Sequence, residues 1–391
     1  MAPRYPTLDT HLEETGTDGY LIDADGEDSN QYYLSGYHAP DNFVTVYADG
    51  EVRLLTSTLE YTRANTDSDG DAVHRLSEFD YGDLVDEHGK ARARPYATVA
   101  FLEASGVGSV SVPVSFPTGT ADLLREQGIE VHPDYDDVVG ATRGVKTEAE
   151  VEHIRETQRA TEEAMAAAEE MLERADVEGG ELTLDGELLT SERVRETIEL
   201  TLLEAGCGLS DCIVASGPEC AQAHSRGSGP IAEGDPITID IFPRNLESRY
   251  FSDMTRTYVK GEPDERIREW YDLTREAHDV ALETIAAGVT GAEVHDAVCD
   301  VFEEAGYPTL RTDESTEDGF FHSTGHGVGL DVHEPPRLGR GGETLEPGHV
   351  VTVEPGLYEQ GVGGVRLEDI VVVTETGCEN LTEYPRELGV V

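Results

Sequence analysis

The chain has 391 residues, enough for two or three domains with ample core volume. It carries 81 acidic residues against 28 basic ones, a formal net charge of -53, which argues against nucleic acid and anionic membranes as partners. Recurring strand-like and helix-like segments exclude a disordered chain.

The basic residues include only three lysines, Lys90, Lys146 and Lys260, and the acid is spread along the whole length. Such a chain repels itself in dilute buffer. Molar salt shortens the Debye length to about 3 Å and relieves that repulsion. Folding and activity are therefore expected to need high salt, and full activity after dialysis into dilute buffer would refute this. The cysteines, Cys207, Cys212, Cys220, Cys299 and Cys378, are odd in number and form no CxxC pair. A disulfide framework or a zinc ribbon is not expected. The N-terminus has no apolar stretch of signal-peptide length, and no window is apolar enough to span a bilayer. The expected location is the cytoplasm.

Along residues 1–143, strand-like and helix-like pieces alternate. Tyr20 to Asp23 and Phe43 to Tyr47 read as strands, and the turn dipeptide Asp49-Gly50 leads into Val52 to Leu55 as a hairpin. Val110 to Val112 is a further strand. No catalytic constellation appears here, and an α/β domain of supporting function is expected. Residues 144–391 change character. Thr147 and Glu150 spell a capping box that opens a long helix to about Arg174. Residues 176–190 form a Gly- and Asp-containing excursion. Ser191 to Ala205 is helical, with Val194, Ile198 and Leu202 on one face. From about residue 212 the chain is strand-rich (Ile237 to Ile241, Val350 to Glu354, Ile370 to Val373). Helices from about Pro263 to Ala287 and from Ala292 to Ala305 lie between these strands. The class is α+β.

Five segments of this second part carry acids or histidines in strand or turn contexts. They are ITIDIFPRN with Asp240, RYFSDMTRT with Asp253, FHSTGHGVGLDVHEPPR with His322, His326 and His333, VVTVEPGLY with Glu354, and GGVRLEDIVVV with Glu368. A carboxylate within or ending an apolar strand is costly unless a cation or hydrogen bonds offset its desolvation. One imidazole and four carboxylates form a hard, oxygen-rich set. It suits two divalent ions such as Mn²⁺, Co²⁺, Fe²⁺ or Zn²⁺ better than a single thiolate-bound zinc, with Mn²⁺ or Co²⁺ favoured. Two such ions about 3.5–4 Å apart would polarise a carbonyl and generate a hydroxide. Competing motifs fail. His333-Glu334 begins an HExxH, but position 337 is arginine, and the glycine-rich run at 325–329 lacks dinucleotide spacing and a phosphate-loop lysine. No nucleophile elbow surrounds Ser216.

These residues resemble the pita-bread metallopeptidases, the group of methionine aminopeptidase, aminopeptidase P and prolidase, over about residues 146–391. The ligand segments occur in that family's order, with Glu354 and Glu368 fourteen apart and His326 and His333 seven apart. The first part resembles the creatinase-type N-terminal domain that accompanies prolidases and aminopeptidase P. The resemblance implies a smaller α/β creatinase-type domain at 1–143 and a pita-bread catalytic domain at 144–391. It further implies metal-dependent hydrolysis of Xaa-Pro bonds in small peptides and a homodimer. Separately, the pervasive acid and few lysines suggest a chain adapted to molar salt, such as a haloarchaeal cytoplasm. Asp240 would chelate one metal, His326 and Glu354 would hold the other, and Asp253 and Glu368 would bridge both. Glu354 would also shuttle the proton. His224 and His333 would line the substrate pocket and steady the tetrahedral intermediate. Arg337 would meet the substrate carboxylate, and Arg366 would brace the metal carboxylates from behind. Read singly, His224 is equally a surface histidine, and Arg337 equally an arginine pairing with abundant acid. His322 receives no role.

One departure stands out. Relatives commonly carry a small residue, often glycine, two positions after the first aspartate, whereas Asp240 is followed by Ile241-Phe242-Pro243-Arg244. Asp240 and Asp253 are thirteen apart where eleven is usual. The odd spacing is kept, so a longer loop can return Asp253 to the same site, while Phe242 and Arg244 would alter the pocket wall. The alternatives are a non-catalytic peptide-binding relative of the same fold, a creatinase-like C–N hydrolase, and an aminopeptidase of other specificity.

Overall fold

Asp49 and Gly50 both adopt positive φ, 54° and 77°, the backbone that a tight two-residue hairpin requires. They join β2 (Phe43–Ala48) to β3 (Glu51–Thr56), and β1 (Gly19–Ala24) pairs with β2, all antiparallel. Parallel neighbours complete a six-stranded sheet: β4 (Ala72–Arg75) beside β3, β5 (Ser109–Pro113) beside β1, and β6 (Glu130–Asp134) beside β5. Successive side chains of a strand point to opposite faces. Tyr20 and Ile22 accordingly join one core with Leu8, Leu12 and Leu34, whereas Leu21 joins another with Phe101, Leu102 and Leu124. Helices therefore cover both faces, as a partly parallel sheet demands.

A computed structural model describes residues 4–391, which divide into two units between Arg143 and Gly144. In the second unit the Thr147 hydroxyl accepts from the Glu150 amide and the Glu150 carboxylate accepts from the Thr147 amide, opening the helix Glu148–Arg174. Val194, Ile198 and Leu202 of the helix Ser191–Glu204 are fully buried, each contributing about 1.5–3 kcal/mol. These two helices share a core with the strands Cys212–Ser216, Pro236–Ile241 and Met254–Val259. The helices Glu265–Thr284 and Gly291–Glu304 share a second core with Val350–Val353 and Asp369–Thr374. Two helix-backed sheets result, the architecture expected of a pita-bread domain. One expectation is sharpened: residues 176–190 hold a three-stranded sheet of Asp176–Glu178, Glu181–Leu184 and Glu187–Leu188, secured from afar by the Leu182 amide donating to the Ile231 carbonyl.

Buried Arg256 joins the two sheets. From the Met254–Val259 strand its Nη2 donates to Asp369 Oδ1 at 2.8 Å and its Nη1 to the Glu368 carbonyl at 2.6 Å. A buried charge pair of this kind leaves an uncompensated charge if either partner is removed, at a cost of about 3–5 kcal/mol. It also holds the backbone that carries Glu368.

Candidate metal centre

Asp240 sits in a central strand, opposite Ile213 on one side and Thr255 on the other. The ladder ends with Ile241 opposite Met254. One step further, Asp253 comes opposite Phe242 and so shares the face that Asp240 presents. The two extra residues of the connection thus leave register intact. They lie in a loop tied down on several sides. The Phe251 amide donates to the Gly329 carbonyl, Thr157 Oγ1 donates to the Tyr250 carbonyl, and the Ser252 and Thr161 hydroxyls are 2.6 Å apart. Phe242 lines the cavity described below. Arg244 does not; its guanidinium lies over the Phe251 ring.

His326 is delivered by the short strand Gly325–Gly327, squeezed between Glu334–Leu338 and Val350–Val353. A Cβ on Gly325 would lie 2.0 Å from the Thr352 carbonyl oxygen, and one on Gly327 2.3 Å from that of Pro335. Glycine on both sides permits this approach. The His326 amide donates to Thr352 Oγ1, and its Nδ1 donates to the Gly327 carbonyl at 3.1 Å. That selects the tautomer whose Nε2 has a free lone pair. Nε2 lies 3.5 Å from Glu354 Oε1 and 3.8 Å from Asp253 Oδ2. Burial, with His333 nearby, lowers the ring to about 3, so it is neutral at any physiological pH.

Asp253, His326 and Glu368 each offer a ligand atom within 4.8 Å of the others. Burial foremost, and then the Glu368, Asp240 and Glu354 charges, raise Asp253 well above the usual carboxylate range. Burial and the Glu354 and Asp240 charges do the same to Glu368. Glu354 is pushed up to about 7, chiefly by burial, with Arg366 opposing and Asp240 adding to the rise. Protein alone does not compensate this cluster. Oδ1 of Asp240 and Oδ1 of Asp253 are buried without a hydrogen-bond partner. Convergent hard oxygens with unpartnered lone pairs and one correctly oriented imidazole fit a divalent cation.

Arg366 stands behind the cluster. Its Nη2 donates to Asp240 Oδ2 at 2.6 Å and its Nε to Thr255 Oγ1, which in turn donates to Glu368 Oε2 at 2.7 Å. Its Nη1 reaches the Ala223 carbonyl and the Tyr358 hydroxyl, and that hydroxyl is 3.0 Å from His322 Nε2. Tyr358 and Thr255 are neighbours that the sequence did not single out, and His322, named there without a role, is held by Tyr358. Thr255 had a signal, since it follows Asp253 by two residues on an alternating strand. Tyr358, in the next short strand after Glu354, had none.

A cavity of about 1060 Å³ opens onto the cluster. It is lined by all nine residues singled out above: the four acids and one imidazole of the cluster, Arg366, and the exposed side chains of His224, His333 and Arg337. The His333 ring centroid is 4.2 Å from that of His326. Arg337 is the direct cross-strand partner of His326, and its backbone amide donates to Glu343. Among the described residues its guanidinium has neither an ion pair nor a hydrogen bond, although the chain holds 81 acidic residues.

A cavity floored by these groups between two helix-backed sheets defines a metal-dependent hydrolase. Residues 152–375 match the metallopeptidase family M24 and residues 4–127 the creatinase/prolidase N-terminal domain, so the chain belongs to metallopeptidase family M24. It is 31% identical over 396 residues to a Xaa-Pro dipeptidase of Pyrococcus furiosus, covering 99% of this chain and 100% of that protein. A solved Xaa-Pro dipeptidase from Bacillus anthracis superposes with a TM-score of 0.80 at 27% identity, covering 99% of both chains. An X-Pro aminopeptidase from Thermotoga maritima does so with 0.77 at 27% identity, covering 97% of this chain and 100% of that one. Membership of a metallopeptidase family implies divalent metal. Among the described residues no helix is long and apolar enough to cross a membrane.

Proposed function

We propose that the chain hydrolyses Xaa-Pro dipeptides at a dinuclear centre, with Arg337 reading the free carboxylate of proline. The unpaired guanidinium of Arg337 beside the carboxylate cluster carries this reading. In so acidic a chain, an arginine without a partner is poised for an acid that arrives with the substrate. An Xaa-Pro amide has no N–H and a fixed φ, so recognition by an extended backbone fails and recognition by the two ends is needed.

Asp240 would chelate one ion, His326 and Glu354 the other, and Asp253 and Glu368 would bridge; Mn²⁺ or Co²⁺ suits this oxygen-rich set. Divalent ions held there supply Lewis acidity toward the scissile carbonyl and toward water. Glu354, which lines the cavity beside His326, takes a proton and returns it to the leaving proline nitrogen. His224 and His333, on the open side of the cavity, steady the charge that develops on the carbonyl oxygen. Arg366 holds Asp240 while Thr255 holds Glu368, so neither carboxylate swings during turnover. A homodimer is expected on resemblance alone, and light scattering decides the oligomer; the cytoplasmic location rests on the sequence features given above.

The test is proline release from Ala-Pro, beside cleavage of Ala-Pro-Ala, in molar KCl with Mn²⁺ or Co²⁺. Cleavage of the dipeptide supports the reading, whereas cleavage of the tripeptide alone would move the assignment to an aminopeptidase. Arg337→Met is expected to raise KM for Ala-Pro by about 10–100-fold, the loss of a charge-assisted bidentate contact. An unchanged KM for the dipeptide would remove Arg337 from substrate binding.

A further inference from the structure

We propose that Phe242 limits the size of the residue before proline, so that the enzyme favours Gly-Pro and Ala-Pro over Leu-Pro and Phe-Pro; this rests on the Xaa-Pro reading above. Phe242 follows Asp240 by two residues and lines the same cavity, half-buried. Two residues along a strand span about 7 Å. The register that sets Ile241 opposite Met254 brings Phe242 opposite Asp253, where direct neighbours are about 5 Å apart. The ring therefore stands immediately beside the carboxylates. Ile213, opposite Asp240, continues the same apolar wall. Beyond them, Asp211 and Arg226 also line the cavity and are ion-paired at 2.5 Å.

The substrate's direction follows from the two sheets. Arg337 neighbours His326 on one sheet, and Phe242 neighbours Asp240 on the other. A dipeptide whose carboxylate meets Arg337, with its amide over the carboxylate cluster, points its first residue at Phe242. The wall cannot give way there. The loop after Phe242 is held by the Phe251 amide on the Gly329 carbonyl, by Thr157 on the Tyr250 carbonyl, by the Tyr250 hydroxyl on Glu150, and by Ser252 beside Thr161. A ring on a wall so anchored acts as a stop for long side chains and not as an adaptable surface.

The experiment compares kcat/KM for Ala-Pro and Leu-Pro in the full chain and in Phe242→Gly and Phe242→Leu, with Mn²⁺ in molar KCl. The wild type should prefer Ala-Pro. Phe242→Gly should shift the Leu-Pro to Ala-Pro ratio upward by about tenfold or more, the scale set by apolar volume in a pocket. Phe242→Leu, which keeps an apolar side chain if the glycine variant fails to fold, should shift it in the same direction by less. A ratio that moves by less than about twofold in a metal-loaded variant that still releases proline from Ala-Pro overturns the proposal. So does a wild type that prefers Leu-Pro. A folded, metal-loaded wild type that cleaves neither dipeptide overturns the Xaa-Pro reading itself, which separates the two failures.

Discussion

Glu354→Gln is expected to lower kcat for proline release by about 10²–10⁴-fold, the usual worth of a positioned general acid–base group. Glu354 follows directly on the buried strand Val350–Val353, and its amide donates to the Thr324 carbonyl at 2.8 Å, which fixes where the side chain starts. Its side chain lines the cavity beside His326, placed to accept a proton and return it. Glutamine keeps the shape and loses the proton. The measurement is kcat beside metal stoichiometry, with exposed Glu359→Gln, which loses only an ion pair to Arg266, as the control. A Glu354→Gln enzyme that keeps its metal and turns over within about tenfold of wild type would remove Glu354 as the proton carrier.

Removing metal should abolish turnover and destabilise the catalytic unit, increasingly so as pH rises. Glu354 has a folded value near 7 against an ordinary 4.5. A carboxyl raised in this way contributes stability that is present below its unfolded value and lost as pH rises through the folded one. Asp253 and Glu368 are raised too and act in the same direction. From Glu354 the metal-free protein should therefore lose stability between about pH 4.5 and 7, and its two neighbours add to the loss. Buried His278, His322, His326 and His349, all depressed from the ordinary 6.5, add the opposite dependence over the same range, with stability lost as pH falls, and they do so with and without metal. Mn²⁺ compensates the ionised carboxylates and displaces their protons, so its stabilisation grows with pH. Thermal unfolding in molar KCl, with EDTA or with Mn²⁺, measures both. A Tm gap between the Mn²⁺ and EDTA samples that stays flat or narrows as pH rises across that window would sink the claim.

Where neighbours in sequence set the geometry, structure was legible from residues alone. The Asp49-Gly50 turn needs only its own positive φ values, and the Thr147–Glu150 capping box closes within four residues. The fold class and the five acid- or histidine-bearing segments were legible for a related reason. A charge ending a strand as apolar as Val350–Val353 is expensive wherever the chain folds, and four such charges call for a common counterion. The short strands of residues 176–190 were not, because the outer two are exposed and only two or three residues long and the buried middle one is anchored by the distant Ile231 carbonyl.

The site divides in the same way. The residue types, their order and the odd Asp240–Asp253 spacing determined the donor set and the shared face. Only tertiary structure decided that Arg366 clamps Asp240, that Tyr358 links Arg366 to His322, that Phe242 lines the cavity while Arg244 turns onto Phe251, and that Arg337 has no carboxylate to itself. The Arg366–Asp240 clamp joins strands of two different sheets. The separations involved exceed 100 residues for Arg366 and Asp240, and no local pattern encodes a contact at that range.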